Sequence, residues 1–184
     1  MIDMTDKVAL VTGAGGGIGT ATAEVFGSVG ARVAVTDIAA DNLAKTVDLL
    51  QGQGIEAEGF PCDITDRHAV FDVVGAVRSR FGRIDTLANI AGGSRTSKFL
   101  EQDPDNWPGE IAKNLFGTIY MSRAVLELDM FERRSGSIVN VASDAGRVGS
   151  LGEAVYSAAK GGVITFTKSL AREMSRHGIR VNCV

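Results

Sequence analysis

The sequence contains few of the residues that would indicate a disulfide-rich, metal-binding, nucleic-acid-binding or membrane protein. Cys62 and Cys183 are too few for a disulfide framework, and no cluster of cysteine and histidine has zinc spacing. The formal net charge of −3 provides no basic surface for nucleic acid. No apolar run approaches the roughly 18 residues of a membrane span, and the first residues lack a basic signal region. We therefore expect a cytoplasmic protein with no metal, nucleic-acid or membrane partner.

Glycine, in contrast, is abundant, with 23 residues in a chain of 184. The rest of the composition is ordinary for a globular protein, at 45% hydrophobic and 22% charged. A chain of this length most often forms one domain. We expect a single domain over 1–184.

Short apolar runs alternate with longer amphipathic stretches along the chain. The runs lack strict alternation, which is typical of strands buried on both faces of a parallel sheet. The order predicts an α/β Rossmann-like fold, a doubly wound parallel sheet with helices on both faces. Strands are predicted near Val8–Val11, Arg32–Thr36, Ile55–Pro61, Ile84–Ala88, Ser137–Val141 and Ile179–Val184, and helices over Ile18–Val29, Ala40–Gln53, Asp66–Phe81, Asn106–Arg133 and Glu153–His177.

Several residues at the ends of these elements have clear local roles. Asp66 can cap the third helix, and Pro108 is tolerated in the first turn of the fourth. Trp107 is expected to pack at the entry of that helix rather than to contact a ligand. Gly178 is expected to end the last helix before the sixth strand.

Three glycines follow the first strand directly. Gly13 permits a tight turn, Gly17 lets the backbone approach a phosphate, and Gly19 allows close packing of helix on strand. The helix that begins near Ile18 then directs its N-terminus at the anion. A glycine-rich turn alone indicates little, but its position between a buried strand and an amphipathic helix predicts a dinucleotide site.

The second strand ends at Asp37, which bears on the choice of cofactor. A carboxylate at this position can accept hydrogen bonds from the ribose hydroxyls of adenosine, and it would repel a 2′-phosphate. Ala14, Gly15 and Gly16 supply no cation that would favour that phosphate. We therefore expect NAD rather than NADP, with Ile38 as a neighbouring contact. A solvated aspartate at a strand end is the alternative.

Tyr156 and Lys160 lie four residues apart on a predicted helix and therefore share one face. A free phenol ionises near pH 10, and an ammonium group a few ångström away favours the phenolate. Ser143 follows the fifth strand, at the sheet edge where open α/β folds place their sites. Asn114 lies within a predicted helix, where an amide is a mediocre helix former. Alone, the tyrosine and lysine would more often be a solvated pair.

The spacing G-x-x-x-G-x-G from Gly13 is wider than the common fingerprint and resembles the first turn of the short-chain dehydrogenase/reductase family. The segment from Asn89 to Gly92 resembles the Asn-Asn-Ala-Gly segment of that family. Ile90 departs from it, which puts in doubt a sheet-stabilising hydrogen bond from the second amide. The resemblance covers essentially the whole chain, in order through the glycine turn, Asp63, Asn89, Ala91, Gly92, Asn114, Ser143, Tyr156 and Lys160.

This resemblance implies hydride transfer between a nicotinamide and a secondary alcohol or ketone. It implies that Tyr156 is the general acid or base, that Ser143 orients the substrate oxygen, and that Lys160 favours the phenolate and binds the nicotinamide ribose. Asn114 would hold a water that relays protons. Asp63 would contact the adenine ring, with the backbone of Ile64 alongside it. The implied cofactor contacts are Gly13, Gly17, Ile18, Gly19, Asp37, Ile38, Asp63, Ile64, Asn89, Ala91, Gly92, Tyr156 and Lys160.

The substrate is less well defined by the sequence. The loop from Ser143 to Tyr156 resembles that of the 2-hydroxycyclohexanecarboxyl-CoA dehydrogenases and their alicyclic-alcohol relatives, which implies an alicyclic or hydroxyacyl-CoA substrate. Arg147 and Glu153 in this loop would meet polar substrate groups, or are simply solvated charges. A 3-oxoacyl-thioester reductase is the nearest alternative, followed by a sugar or polyol dehydrogenase. From another class, a catalytically weak nucleotide-binding scaffold stays open.

Two further expectations follow from the resemblance. Family members usually continue beyond the sixth strand through a lid, a last helix and a seventh strand, so we expect a chain truncated at its C-terminus. They usually form homodimers or homotetramers through their long helices. An apolar face of the fourth helix would serve this purpose, or would pack on the sheet instead; its residues are Leu115, Phe116, Ile119, Tyr120 and Val125.

Overall fold

The computed structural model describes residues 2–184 and contains one sheet of six parallel strands. The strands occur in the order β3-β2-β1-β4-β5-β6. All five neighbouring pairs are parallel, so every connection is a crossover. The direction of winding reverses between β1 and β4, and their carboxyl ends meet there. The strands are β1 Val8–Thr12, β2 Arg32–Thr36, β3 Ala57–Gly59, β4 Thr86–Asn89, β5 Gly136–Asn140 and β6 Ile179–Cys183.

Helices cover both faces of the sheet. Successive residues of β1 point to opposite sides, so that Ala9 and Val11 pack in one core cluster with residues of α1 and α2, and Val8 and Leu10 in another with residues of α3, α4 and α6. The helices are α1 Gly17–Ser28, α2 Ala40–Gly52, α3 Arg67–Phe81, α4 over 107–133, α5 Ala145–Val148 and α6 Ala154–Met174.

The predicted α/β class and doubly wound parallel sheet are confirmed. Asp66 caps the third helix as predicted, whereas Gly178 follows a 3₁₀ turn and not the end of α6 itself. Asp66 accepts hydrogen bonds from the backbone N–H groups of His68 (2.8 Å) and Ala69 (3.3 Å) at the start of α3. Gly178 adopts the left-handed conformation, with φ of 70°, after the short 3₁₀ turn that follows α6. Trp107 stacks on Phe99 with ring centroids 5.2 Å apart, at the entry of α4.

Three differences from the predicted elements have local causes. Strand β3 covers Ala57–Gly59 and is shorter than the predicted Ile55–Pro61, although Glu56 O and Phe60 N also make backbone hydrogen bonds to β2. The last α-helix ends at Met174, and Ser175–His177 form a 3₁₀ turn. Helix α5 is a single short turn that apolar periodicity does not reveal.

Helix α4 is continuous over 107–133 but contains two π-helical segments, Ala112–Phe116 and Leu126–Met130. Each segment contains one buried polar residue, Asn114 or Asp129. π-Bulges are rare in helices and occur frequently at functional sites. The first segment lies at the carboxyl edge of the sheet, and the second lies near the opposite edge, where Asp129 accepts a hydrogen bond from the N–H of Ile84 (2.9 Å).

The apolar residues of α4 do not form one outward face. Val125 is fully buried, while Leu115, Ile119 and Tyr120 are half-buried. Phe116 is exposed and stacks on Tyr120, with centroids 6.0 Å apart. Val125 therefore packs in the core, in line with the alternative that this face of the helix packs on the sheet. Assembly of subunits through the remaining four residues stays a prediction.

Within residues 2–184, no helix is both long and apolar enough to cross a membrane.

We expect Asp129→Ala to lower the free energy of unfolding by about 3 kcal/mol, because the partly buried Arg133 loses the carboxylate that neutralises its charge. Asp129 is 2% exposed and accepts hydrogen bonds from Ile84 N and from Arg133 Nε and Nη2. The matched control is Glu127→Ala on the same helix, which removes an exposed ion pair to Arg123 and should cost less than about 0.5 kcal/mol. Urea denaturation measures both values, and equal losses in the two variants would contradict a structural role for Asp129.

Candidate active site

A cleft of about 540 Å³ opens at the carboxyl ends of the strands, where the winding direction of the sheet reverses. Open α/β sheets bind their ligands at this position. The volume lies in the range of small-molecule sites. Ten of the predicted cofactor contacts line the cleft: Gly13, Gly17, Ile18, Gly19, Asp37, Ile38, Asp63, Ile64, Ala91 and Gly92.

The three glycines of the turn occupy different packing environments. Gly13 has φ of +67°, and a Cβ there would lie 2.7 Å from Ala91 Cα, so the turn presses against the end of β4. A Cβ on Gly19 would lie 2.1 Å from the carbonyl oxygen of Gly13, which explains the close approach of α1. A Cβ on Gly17 would meet no protein atom within 4 Å. Because Gly17 lines the cleft, that open space is the one available to a ligand.

The first turn of α1 is suited to an anion. Its N-cap is Gly16, and no side chain caps the helix. The first N–H groups of a helix have no intrahelical partners, and the helix dipole makes this end attractive to negative charge. These features, together with the open space at Gly17, fit a pyrophosphate.

Apolar side chains line the other part of the cleft. Ile18 and Ile38, which are 68% and 69% exposed, both line it. Ile64 and Ile90 line the same cleft. Together with the carboxylates of Asp37 and Asp63, this lining fits the flat ring and the ribose of an adenosine.

Two residues of this region were not identified from the sequence. The hydroxyl oxygen of Thr12 accepts hydrogen bonds from the N–H groups of Ile90 (3.0 Å) and Ala91 (3.1 Å), which fastens the turn after β1 to the end of β4. The sequence offers one indication of this role, because Thr12 directly precedes Gly13, the first glycine of the turn. Cys62 also lines the cleft, and burial together with Asp63 and Asp66 raises the pKa of its thiol to about 11. A thiol with that pKa stays protonated at neutral pH and is a poor nucleophile.

The side chain of Asn89 points into the protein, not into the cleft. Its amide nitrogen donates to Asn140 Oδ1 (2.8 Å) and to Ser122 Oγ (3.2 Å), and Asn140 donates in turn to Thr167 Oγ1 (2.9 Å). The geometry therefore does not support a cofactor contact by the Asn89 side chain. The bond from Asn89 to Asn140 joins β4 to β5. A side-chain hydrogen bond across the sheet is therefore present even though residue 90 is isoleucine and not asparagine.

Lys160 is buried, at 3% exposure, and its ammonium nitrogen donates to the carbonyl oxygen of Val141 at 2.8 Å. Burial lowers the pKa of Lys160 to about 8. At neutral pH the group is mostly charged but close to its titration point, which suits a proton relay. The bond also ties α6 to the chain just after β5.

Ser143 lies two residues after Val141, in the turn that leads into α5. A Cβ on Gly146 would lie 2.6 Å from the backbone of Lys160 and Gly161, so α5 packs directly on the backbone of α6. The hydroxyl oxygen of Ser143 accepts a hydrogen bond from the N–H of Ala145 at 3.1 Å. This bond uses one lone pair and leaves the hydroxyl hydrogen available for a ligand.

Tyr156 is half-buried, and the ammonium nitrogen of Lys160 lies 5.8 Å from the centre of its ring. The pair therefore shares one face of α6, as predicted from the spacing.

Asn114 links the π-helical segment of α4 to the cleft. Its amide donates to the carbonyl oxygens of Gly93 and Glu110 (both 3.0 Å), and its Oδ1 accepts from the N–H of Gly93 at 2.8 Å. A Cβ on Gly92 would lie 2.7 Å from Asn114 Oδ1 and 3.4 Å from Lys160 Nζ. Because Gly92 lines the cleft, the amide and the ammonium converge on the cleft at this residue.

The two loops beside Tyr156 are fastened together. Glu153 accepts a hydrogen bond from the hydroxyl of Ser94, and the carbonyl oxygen of Gly152 accepts one from Ser97 N (2.9 Å). Hydrogen bonds from Ser94 and Ser150 lower the pKa of the Glu153 carboxyl. Arg147 is exposed beside Asp144 (3.4 Å). The Glu153 carboxylate therefore already accepts hydrogen bonds from the protein. Of the two charged side chains, Arg147 is the more available to a substrate.

Comparison with known families gives one match that covers nearly the whole chain. The family model described as short chain dehydrogenase matches residues 7–184. The chain is 40% identical over 182 residues to an uncharacterised oxidoreductase, YxbG, of Bacillus subtilis, covering 98% of this chain and 66% of that protein. It is 39% identical over 178 residues to the 3-oxoacyl-[acyl-carrier-protein] reductase FabG of Thermotoga maritima, covering 97% of this chain and 72% of the relative.

Solved structures agree with the sequence comparison. A variant of actinorhodin polyketide ketoreductase with NADPH superposes with a TM-score of 0.93 at 39% identity, covering 96% of this chain and 68% of that one. NAD⁺-bound xylitol dehydrogenase superposes with a TM-score of 0.96 at 34% identity, covering 99% of this chain and 70% of that one. One of these structures is described with NADPH and the other with NAD⁺.

The lowered pKa of Lys160 predicts a pH dependence of stability. Between about pH 8 and 10.5 the unfolded lysine holds more protons than the folded one, so the free energy of unfolding should rise with pH in this window. Below pH 8 both forms are protonated and the contribution is constant. The measurement is urea denaturation of the wild type and of Lys160→Met at pH 7.5, 8.5 and 9.5. The difference between them isolates Lys160 from other titrating groups, and a difference that does not change with pH would contradict the burial of a charged amine.

Proposed function

The chain belongs to the short-chain dehydrogenase/reductase family of oxidoreductases, and we propose that it transfers a hydride between NAD(H) and a secondary alcohol or ketone. The observation that carries this proposal is the convergence of Asn114 Oδ1 and Lys160 Nζ on Gly92, in a cleft that the glycine turn also lines. This arrangement supports the proposal because Asn114 and Lys160, which can take part in proton transfer, lie beside a cleft that fits a dinucleotide.

The residues of the cleft divide between the parts of the cofactor. Gly13, Gly17 and Gly19 with the start of α1 would hold the pyrophosphate, and Asp37 the adenosine ribose. Asp63 with the backbone of Ile64 would contact the adenine ring. A bound nicotinamide would supply the hydride chemistry, and the protein would supply position and proton transfer.

Proton transfer is assigned to the group around Tyr156. In the proposed mechanism its phenol gives a proton to the oxygen of a ketone, or takes one from an alcohol. Ser143 donates a hydrogen bond to the same oxygen, whose charge grows in the transition state. In the same mechanism Lys160 stabilises the phenolate form of Tyr156. Asn114 would hold the water that relays protons to solvent.

The preference for NAD rests on Asp37. Its carboxylate lines the cleft at the end of β2, where a 2′-phosphate would meet a negative charge. Among the cleft-lining residues the one basic side chain is Lys113, which lies on α4 near Gly109. NADPH accompanies one of the similar structures and NAD⁺ the other, so the local charge is the argument for NAD.

The substrate is proposed to be a secondary alcohol or ketone of moderate size, with alicyclic or hydroxyacyl-CoA compounds as the first class to examine. A 3-oxoacyl-thioester reductase is the second candidate. It is favoured by the reductases named FabG in Thermotoga maritima and Vibrio cholerae, which are 39% and 38% identical to this chain. A polyol substrate is supported by D-threitol dehydrogenase of Mycolicibacterium smegmatis, at 40% identity.

We expect Tyr156→Phe to reduce turnover by roughly 10²- to 10⁴-fold, because it removes the proton-transferring hydroxyl. NAD⁺ affinity should change by less than about twofold, since the ring and its packing remain. The matched control is Tyr120→Phe, which alters the other tyrosine of the chain, on α4. Steady-state rates and calorimetric binding measure these effects. Turnover of Tyr156→Phe within a few-fold of wild type would exclude this mechanism.

The substrate class is tested by NADH formation with cyclic secondary alcohols, hydroxyacyl thioesters and polyols, each with NAD⁺ and with NADP⁺. We expect turnover with at least one class and a higher kcat/KM with NAD⁺, because Asp37 repels the extra phosphate. Cofactor binding without turnover on any compound would favour the nucleotide-binding scaffold instead. A higher kcat/KM with NADP⁺ would refute the cofactor assignment alone.

A further inference from the structure

Asp37 is held by two backbone amides from opposite sides. Its Oδ2 accepts a hydrogen bond from Gly15 N at 2.9 Å, and its Oδ1 accepts one from Ala39 N at 2.8 Å. A carboxylate has about four lone-pair sites, so each oxygen can still accept a bond from a ligand. Charge-assisted bonds to backbone amides are strong and directional. The carboxylate is therefore oriented by the protein before any ligand arrives.

Gly15 differs from the other glycines of the turn. It does not line the cleft, whereas Gly13, Gly16 and Gly17 do. It does not adopt a positive φ. A Cβ at this position would lie 3.0 Å from Asp37 Cγ, 3.1 Å from Asp37 Oδ2 and 3.0 Å from Asn42 Cβ. The contact with Asp37 and α2 therefore accounts for the absence of a side chain at Gly15, whose backbone conformation alone does not require a glycine.

The turn that presents this amide is itself fixed. The carbonyl oxygen of Ala14 accepts hydrogen bonds from the hydroxyls of Thr20 (2.9 Å) and Thr46 (2.8 Å), and Ala14 N donates to Thr36 O (3.1 Å). Thr46 is buried on α2. These bonds fix the peptide unit that joins Ala14 to Gly15. The N–H of Gly15 is therefore held in place and cannot follow the Asp37 carboxylate if that side chain moves.

We infer that Gly15 is a positioning residue for cofactor selection, which acts by locking the Asp37 carboxylate against the glycine turn. The inference rests on the proposed NAD preference and deepens it. A carboxylate free to rotate could turn away from a 2′-phosphate, whereas one tied at both oxygens keeps its charge in place. Discrimination against NADP then depends on the missing Cβ at position 15 as well as on the charge at position 37.

The test compares calorimetric Kd values of NAD⁺ and NADP⁺ for wild type, Gly15→Ala, Asp37→Ala and the double variant. We expect Gly15→Ala to reduce the ratio of the NADP⁺ Kd to the NAD⁺ Kd by about three- to tenfold, since it displaces one hydrogen-bonded oxygen. In the Asp37→Ala background the same substitution should change the ratio by less than about twofold. Gly75→Ala, whose Cβ would meet no protein atom within 4 Å, controls for adding a methyl group elsewhere.

Two results would overturn the inference. One is a ratio in Gly15→Ala equal to that of the wild type while Asp37→Ala abolishes the discrimination. The other is an effect of Gly15→Ala that persists in the Asp37→Ala background, because Gly15 would then act directly on the cofactor.

A measurement without cofactor separates this inference from the proposed function. In the ¹H–¹⁵N spectrum of the free protein, the Gly15 amide proton should move upfield in Asp37→Ala, because it loses a charged acceptor. An unchanged Gly15 signal would overturn the inference whatever the cofactor results are. If the amide shifts as expected but neither dinucleotide binds the wild type, the proposed function fails and the locking of Asp37 stands.

Discussion

The hydrogen bond from the Lys160 ammonium to the carbonyl oxygen of Val141 is the interaction on which the geometry of the site depends. Burying an ammonium group costs several kcal/mol unless it is compensated. Here one bond satisfies part of that requirement and also joins α6 to the end of β5. As a result, Tyr156 on the helix and Ser143 after the strand are held in a fixed relation. The lysine's lowered pKa is a consequence of the same burial.

Backbone contacts, more than side chains, bring the rest of the cleft together. The turn after β1 meets β4 through Gly13 and Thr12, α1 meets the turn through Gly19, and α5 meets α6 through Gly146. At each glycine a side chain would force the elements apart. These three close contacts keep both halves of the site, the dinucleotide-binding turn and the group around Tyr156, on rigid elements.

The fold was predictable because buried parallel strands and amphipathic helices leave a strong pattern over many residues. The placement of Asp37 and Ser143 at one edge of the sheet was predictable for the same reason, since the carboxyl ends of parallel strands converge there. Contacts between distant segments were not. The inward direction of Asn89, the role of Thr12 and the contact of Gly15 with Asp37 depend on side-chain directions that no local pattern encodes. The same holds for the bonds between Asn114, in the π-helical turn, and the distant chain at Gly93.

A crystal structure of the protein with NAD⁺ bound tests the central claim most directly. We expect the pyrophosphate at the start of α1, the adenosine ribose on Asp37, and the nicotinamide end beside Gly92, within reach of Lys160 and Tyr156. A dinucleotide bound elsewhere, or one whose nicotinamide end lies away from Tyr156 while Lys160 still bonds Val141, would contradict it.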